Sequence, residues 1–590
     1  MNMQEELEEL LIQLVKVRSV VNTSGENDII DFIEDYLHDW EYFRIHPEQI
    51  VRIPSEGDPL KRSSLLVCVS GQEADNTVVL LGHTDTVEVD DYGPLADFAT
   101  TPDQLKDVLK SGQRNLYPQA QIDLESDNFL WGRGTLDMKV GVANELLLLK
   151  RLAENPDSFQ GHVIALFVCD EEGNSAGMIS AIAILKQWRD TKKLKICGVI
   201  NTDYHTAQYP GDEAYYLFRG TVGKIMPIFY IRTLETHAGD PFAGLDANLV
   251  LAELINEINL NPKYSDSCGS EISVPTITLK VEDLKEVYSV KTNHEAWTLI
   301  SVPLLGQTPA DVMPKMLQAA TIAAENSLDR YYRYQHEYTK RAEIPTEIIH
   351  PEFEIISLAE LIDRVAIQLQ QEKNSLIANY LAPVLNTADT REQTLHLIRQ
   401  LEILLPDRRP RIVVGYAPPF YPAISYLDSD DTVYQLVDRG IKAALNRAGK
   451  HEGTSAKSTV DQKCQAEEMS SDSAITSRTV DTDHTADGPY LLDNGKELKV
   501  KTYYPYISDL SYLALPYTDY ELQIMQDNMP TLGRSYQVPL QTMKALDLPV
   551  INLGGYGFDA HKWTERVERD YSLRILPKLL ESIVMEILGK

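Results

Sequence analysis

The sequence predicts an α/β protein whose main domain has a mostly parallel mixed sheet flanked by helices, with an α+β domain inserted into it. Two observations support this prediction. Up to about residue 212, apolar stretches of strand character alternate with stretches of helical spacing, which is typical of βαβ units. The alternation returns after about residue 500, whereas the residues between these two stretches show a different pattern of apolar and polar residues.

The first segment begins with two helices, predicted at 4–18 and 26–40 from their apolar spacing. Two strands follow within "SSLLVCVSG" and "NTVVLLGHTD", and the second ends at His83. Helix, strand, helix and strand are then predicted for "VGVANELLLLKRLAE", "GHVIALFVCDEEG", "GMISAIAILKQWRD" and "LKICGVINTDY". Polar residues stand where each strand ends, which is where open α/β sheets bind ligands.

The chain is predicted to divide into three segments, of which 1–212 and 421–590 form the two parts of the main domain. Residues 213–420 form the inserted domain, with antiparallel strands, the helix "LDANLVLAELINEI" and an extra helical block near 340–410. Residues 451–488 are rich in Ser, Thr and Asp and poor in apolar residues. This composition predicts a flexible surface loop within the last segment.

Composition excludes several classes of partner. The formal net charge of −33 over 590 residues argues against nucleic acid and against an anionic membrane surface. No apolar run is long enough to span a bilayer, and the acidic N-terminus is unlike a secretory signal. The five cysteines are odd in number and widely spaced, which favours reduced thiols and a cytoplasmic location.

Five short stretches place carboxylate or imidazole groups at predicted strand ends or in glycine-rich turns. One of them, "CDEEG", has three consecutive acids. The candidate residues are His83, Asp85, Asp137, Glu171, Glu172, Asp203 and His561. Each stretch alone has an ordinary explanation, such as a solvated turn or a helix cap. Their coincidence where an α/β fold places ligands favours one shared site.

The types of ligand indicate the chemistry of this site. Imidazole and carboxylate without thiolate suit zinc, with cobalt or manganese as alternatives. Two histidines and three carboxylates exceed the needs of one catalytic zinc, but they suit two divalent ions that share a bridging carboxylate and a water. A carboxylate that binds no metal can take the proton of that water. We therefore expect one glutamate of "DEEG" to bind metal and its neighbour to act as the base.

The motifs "GHTDTV", "GRGTLDMKVG", "DEEG" and "AHKWTE" resemble, in this order, the signature of the co-catalytic zinc peptidases and deacylases of peptidase family M20. This family includes aminoacylase, the dipeptidase PepV and glutamate carboxypeptidase. The long chain together with "YYPYISDLSYL" and "YAPPFYP" looks most similar to the RocB-type arginine-utilisation branch. The resemblance implies a zinc-peptidase-like catalytic domain whose inserted domain is a lid.

The resemblance also implies how the ligands are shared between two metal ions. His83 and Asp203 would bind one ion, Glu172 and His561 would bind the other, and Asp137 would bridge both. His205 follows a ligand by two residues and is left out of the metal shell.

Further roles follow from the same resemblance. Glu171 would be the general base and later the proton donor, and Asp85 would orient the ring of His83. A cis peptide bond is expected between Asp137 and Met138. In the lid, "ETHAGDPFAGLDAN" makes His237 the candidate for polarising the scissile carbonyl or its oxyanion, including across a dimer.

The predicted function is a metal-dependent hydrolase that cleaves an amide or peptide bond in a small peptide or N-acyl amino acid, through a metal-bridged hydroxide. Two alternatives remain open, namely an amidohydrolase or deacylase of arginine catabolism and a non-catalytic ligand-binding relative. A homodimer through the lid domain is expected. The segments 91–128, 340–410 and 451–488 depart from the family pattern, so substrate size and oligomeric state stay open.

Overall fold

The computed structural model describes residues 2–112, 115–345, 351–385, 389–425, 432–448 and 489–589. The loop predicted at 451–488 lies outside these residues. No helix within the described ranges is both long and apolar enough to cross a membrane.

In the described part of the chain, a sheet of nine strands, here called the large sheet, forms the centre of the catalytic domain. Its four central strands are mutually parallel and run, in spatial order, Gln160–Val168, Gln72–His83, Lys195–Asn201 and Val550–Asn552. The outer strands are Ser63–Ser70 and Ile50–Pro54 on one side, and Tyr215–Phe218, Glu497–Lys501 and Tyr490–Leu491 on the other. The predicted α/β fold class is confirmed.

Helices cover both faces of the large sheet, which explains why its central strands are almost continuously apolar. One face packs against Met3–Lys16, Gly25–His38, Glu41–Ile45, Lys139–Glu154, Thr432–Ala448 and Leu576–Leu588. The last of these continues a π-helical turn at Asp570–Ile575. The opposite face packs against Ala176–Lys192, which in turn packs against Leu540–Leu546. The helix Asp519–Asn528 instead packs against the helices Pro309–Ala342 and Leu358–Leu369.

The segment predicted to depart from the family pattern at 91–128 folds into a small unit with its own apolar core. It contains a 3₁₀ segment at Asp90–Phe98 and helices at Pro102–Lys110 and Pro118–Glu125. The following strand Phe129–Trp131 pairs with Arg566–Glu568, which in turn pairs with Gly557–Phe558. The unit therefore lies beside the loop that carries His561.

Within the described ranges, the lid contains a second sheet of five strands, here called the lid sheet. In spatial order its strands are Ile277–Asp283, Glu295–Leu304, Gly223–Arg232, Arg411–Tyr421 and Glu354–Ser357. Neighbours are antiparallel except for the last pair. The helices Ala247–Ile258 and Pro309–Ala342 cover one face, and the extra block of Leu358–Leu369, Lys373–Leu381 and Thr390–Leu404 covers the other.

The domain boundaries stay a prediction. Strand Tyr215–Phe218 follows the predicted boundary at 212 and pairs within the large sheet, whereas Gly223–Arg232 is the first strand of the lid sheet. The remaining short elements are the strand pairs Gly220–Thr221 with Ile424–Ser425 and Ser267–Cys268 with Glu271–Ile272, and the 3₁₀ turns Pro47–Gln49, Pro156–Ser158, Pro241–Ala243, Pro262–Tyr264 and Asp509–Leu513.

Gly141 allows the helix Lys139–Glu154 to approach the end of a central strand closely. A Cβ at this position would lie 2.3 Å from the carbonyl oxygen of Thr202, the residue that precedes Asp203.

We expect Gly141→Ala to lower the free energy of unfolding by about 1–3 kcal/mol, because the backbones must separate. Urea denaturation measures this change. Gly306→Ala is the control, since its Cβ would meet nothing closer than 3.7 Å, and an equal loss there would contradict the interpretation.

Candidate metal centre

The fold brings six of the predicted site residues together at one edge of the large sheet. His83 is the last residue of its strand, Glu171 and Glu172 follow the strand Gln160–Val168, and Asp203 follows Lys195–Asn201. Asp137 precedes the helix Lys139–Glu154, and His561 lies in the loop before Arg566–Glu568. The peptide bond between Asp137 and Met138 is cis, as the resemblance implies.

Two groups of three potential ligands share Asp137 among the residues that the structure describes. One group contains His83 and Asp203, the other Glu172 and His561, and in each group the ligand atoms lie within 4.8 Å of one another. Asp137 Oδ1 lies 3.1 Å from His83 Nε2, and its Oδ2 lies 2.9 Å from His561 Nε2. One carboxylate therefore presents an oxygen to each group, which fits a pair of divalent ions with a bridging ligand.

The negative charge of the carboxylates in this cluster requires compensation by positive charge. Burial raises the pKa of Asp137, but hydrogen bonds from His561 and His83 outweigh it and bring this pKa well below its usual range. In return, hydrogen bonds to Asp137 and Glu172 raise the pKa of His561 to about 11. Burial and the charge of Asp137 raise the pKa of Asp203 to about 7. Divalent ions would supply the positive charge that imidazole protons otherwise provide.

Glu171 belongs to neither ligand group. Its Oε2 lies 4.0 Å from His83 Nε2, so it borders the centre without sharing the Asp137 bridge. Burial raises the pKa of Glu171 well above its usual value, with His83 opposing this shift and Asp509 adding to it. A buried carboxyl that binds no metal and favours its protonated form suits the transfer of protons.

Asp85 connects His83 to the two glutamates. Its carboxylate accepts hydrogen bonds from the backbone N–H groups of Glu171 and Glu172, at 3.2 and 3.0 Å. Its carbonyl oxygen lies 3.1 Å from His83 Nδ1, whereas the nearer carboxylate oxygen lies 3.7 Å away. A proton on Nδ1 that is donated to this carbonyl leaves Nε2 free to bind metal. That the carboxylate itself orients the ring stays a prediction.

The first of the three consecutive acids, Asp170, turns away from the metal ligands. Its Oδ1 accepts a 2.6 Å hydrogen bond from Arg62, which also binds Glu26 at 2.9 Å and Asp58 at 2.8 Å. Its other oxygen accepts the N–H of Ala176 at 3.1 Å. All four charged side chains are buried. This network anchors the loop that carries Glu171 and Glu172 on the side that faces away from the metal ligands.

A second buried pair holds the backbone on the other side of the centre. Glu565 accepts hydrogen bonds from the N–H groups of Leu136 and Asp137, at 3.1 and 3.3 Å. Arg133 binds the second oxygen of Glu565 at 2.7 Å. The bridging residue is therefore positioned by a side chain that lies only four residues after His561.

Two histidines of the sequence analysis lie apart from this cluster. His205 is buried among the rings of Tyr215, Tyr556 and Tyr571 and belongs to neither ligand group. The contacts of His237 lie within the lid, where its Nδ1 accepts the N–H of Gly239 and its backbone pairs with Lys291. The role of His237 at the scissile carbonyl stays a prediction.

Sequence reasoning missed Asp509 and Arg62. Asp509 is 3% exposed, and the hydroxyl of Ser175 is the side-chain group that favours its charged form most. Its pKa is raised to about 7 by burial, and it lies within the field of His83. The motif "YYPYISDLSYL" contains it, and an acid within such an apolar stretch was the available signal. Arg62 directly precedes an apolar strand, and this position was a weaker signal.

Comparison with known proteins identifies relatives of similar length. The family model for peptidase family M20/M25/M40 matches residues 79–366. The chain is 30% identical to the protein YqjN of Bacillus subtilis over 584 residues, which cover 99% of this chain and 96% of YqjN. It is 28% identical to Protein RocB of the same organism, over 100% of this chain and 96% of RocB. The solved aminopeptidase PepT from Bacillus cereus aligns over 99% of this chain and 100% of its own, with 12% identity and a TM-score of 0.47.

The Arg62 network predicts a large effect of a single buried substitution. Arg62→Met leaves the buried carboxylates of Glu26 and Asp170 without their cation, so we expect a loss of about 3–5 kcal/mol in the free energy of unfolding. We also expect fewer equivalents of divalent metal per folded chain, because the loop carries Glu172. Urea denaturation and metal analysis measure both effects.

Arg364→Met is the matched control, since Arg364 also contacts two carboxylates, Glu354 and Glu360, but is one-third exposed. Its loss is expected to stay below about 1 kcal/mol. Equal losses in the two variants would contradict the anchoring role of Arg62.

Proposed function

We propose that this chain, which belongs to peptidase family M20/M25/M40, is a two-metal hydrolase that cleaves an amide bond in a small peptide or an N-acyl amino acid. The observation that supports this most directly is the shared position of Asp137 between two ligand groups. Zinc is the proposed metal, with cobalt or manganese as alternatives, because all the ligand atoms are imidazole nitrogens or carboxylate oxygens.

The residues of the centre have two different roles in hydrolysis, metal binding and proton transfer. His83, Asp203, Glu172, His561 and the bridging Asp137 would hold the two ions. When bound, such ions polarise the substrate carbonyl and lower the pKa of a water molecule. Glu171 accepts the proton of the attacking water and then delivers it to the leaving amine, which its position beside the ligands and its raised pKa support.

The lid would contribute to transition-state stabilisation. We assign to His237 the polarisation of the scissile carbonyl or its oxyanion. His237 is exposed and borders the lid sheet, so this role requires the lid to close or a second subunit to supply the residue.

A homodimer through the lid is part of the proposal. The strand Ile277–Asp283 is an edge of the lid sheet, and its side chains Ile277, Leu279 and Val281 are 37%, 52% and 48% exposed. An exposed apolar edge strand is a template for pairing with another chain.

A cytoplasmic location is proposed as well, because the four cysteines of the described residues are free thiols.

The second candidate function is an amidohydrolase or deacylase of arginine catabolism, favoured by the RocB-type resemblance and by 28% identity with RocB over the full chain. It shares the centre and differs in substrate. A non-catalytic relative is disfavoured, because the five ligands and Glu171 are all present at one place.

The proposed roles predict that two substitutions have separate effects. Glu171→Ala should lower kcat by about 10²–10⁴-fold, because a general base contributes that much, while metal content stays near two equivalents per chain. Asp137→Ala should lose metal, because both ligand groups contain this residue. Metal analysis and steady-state kinetics of the zinc-loaded protein test this. Normal turnover by Glu171→Ala would refute the base assignment.

A substrate panel separates the two candidate functions. We expect hydrolysis of dipeptides or N-acyl amino acids that disappears on chelation and returns with zinc. Strong preference for N-acyl amino acids over dipeptides would favour the deacylase, and the reverse would favour the peptidase. The absence of both metal binding and hydrolysis after reconstitution would refute the enzyme proposal.

A further inference from the structure

Residues 502–549, here called the brace, contact both domains of the protein. They connect the strands Glu497–Lys501 and Val550–Asn552, so they belong to the catalytic domain by their position in the chain. They lie outside residues 79–366, which the family model matches. The brace contains the turn Asp509–Leu513 and the helices Asp519–Asn528 and Leu540–Leu546.

The two helices of the brace pack against different domains. Asp519–Asn528 contacts the lid helices Pro309–Ala342 and Leu358–Leu369. Leu540–Leu546 contacts Ala176–Lys192, the helix that covers one face of the large sheet. The brace therefore joins the lid to the catalytic domain at a place separate from the strands by which the chain enters and leaves the lid.

One apolar core extends from the large sheet through the brace to the lid sheet. It contains Leu166 and Met178 of the catalytic domain, Met525 and Met543 of the brace, and Ile412 of the lid sheet, all of them fully buried. A lid that moved away from the catalytic domain would expose this core to water, which is unfavourable in proportion to the apolar area uncovered. An extensive apolar interface argues against free motion between two domains.

Hydrogen bonds join the brace to several parts of the lid. Asn528 Oδ1 accepts the N–H of Ala359 at 3.0 Å, and the hydroxyl oxygen of Tyr536 accepts the N–H of Phe420 at 2.9 Å. An opening motion would break these bonds together with five others. These are Thr502 to Glu271 at 2.6 Å, Tyr503 to Leu305 at 3.2 Å, Ala423 to Tyr517 at 3.3 Å, Arg534 to Asn374 at 2.8 Å and Ser535 to Gln393 at 2.5 Å.

The brace is also bonded to the catalytic domain and within itself. Arg189 Nη1 donates to the carbonyl oxygen of Ala545 at 2.7 Å. The N–H of Leu548 donates to the carbonyl oxygen of Leu513 at 3.1 Å, which connects the end of the brace to its first turn. That turn contacts the helix Ala176–Lys192 as well. The brace therefore cannot follow a moving lid without losing contacts on its other side.

We propose that the brace fixes the lid against the catalytic domain, so that the two domains keep one relative position throughout turnover. The lid is then a fixed wall of the site, and a substrate has to fit the space that this position leaves. A fixed lid excludes closure as the way in which His237 reaches the centre. The inference goes beyond the proposed function, because it concerns motion of the lid whatever bond is cleaved.

Hydrogen exchange of two lid amides in the full chain tests whether the interface opens. Ala359 is the second residue of its helix and has no acceptor within that helix, so its protection depends on the brace, as does that of Phe420. We expect both amides to exchange within about tenfold of Phe229, in the middle strand of the lid sheet. Faster exchange of both would show an opening interface and overturn the proposal.

Cross-linking tests the same inference during turnover. Asn374 of the lid and Arg534 of the brace are hydrogen-bonded, so Asn374→Cys combined with Arg534→Cys allows a short bifunctional maleimide to join them. The cross-linked, zinc-loaded chain should keep kcat and kcat/KM within about twofold of the same variant before cross-linking, because turnover needs no motion of the lid. The two single variants, treated with the same reagent, are the controls.

A larger loss that appears only in the cross-linked double variant would show that the lid has to move, and it would overturn the proposal. The exchange experiment needs no substrate, so it separates this inference from the proposed function. Slow exchange of Ala359 and Phe420 in a chain that hydrolyses nothing would support the fixed lid and refute the proposed function alone.

Discussion

The concentration of carboxylates around Asp137 is the constraint on which the rest of this structure depends. The two ligand groups contain three acids but only two imidazoles, with ligand atoms within 4.8 Å of one another in each group, and Glu171 adds a fourth acid at their border. Such a cluster is stable only when cations or protons offset its charge. The parallel strands create the cluster, because their carboxyl ends meet at one edge. The concentration of carboxylates lowers stability when no cation offsets it, and the same concentration allows the site to bind divalent ions.

Buried ion pairs outside the centre fix the backbone segments that carry its ligands. Arg62 fixes the loop of the two glutamates through Asp170, and Arg133 fixes the backbone of Asp137 through Glu565. In each case a guanidinium compensates the charge of an acid that accepts hydrogen bonds from backbone N–H groups. This arrangement is preorganisation in the usual sense, since geometry is set before the reacting groups arrive.

The sequence predicted the alternating elements and the residues that gather at the strand ends, because periodicity and motif order are local properties of the chain. It could not predict that Asp170 turns backwards, since this depends on a left-handed backbone at φ 66° and on an arginine 108 residues earlier. The segment 91–128 was recognised as unusual, but its packing against the His561 loop arises from contacts such as that of Arg566 with Asp123.

The two halves of the centre differ in their access to water. His83 and Asp203 are 3% and 5% exposed, whereas the side chain of His561 is 49% exposed. An ion held by Glu172 and His561 would therefore exchange with the medium sooner than its neighbour. A chelator would therefore reach the outer position before the inner one.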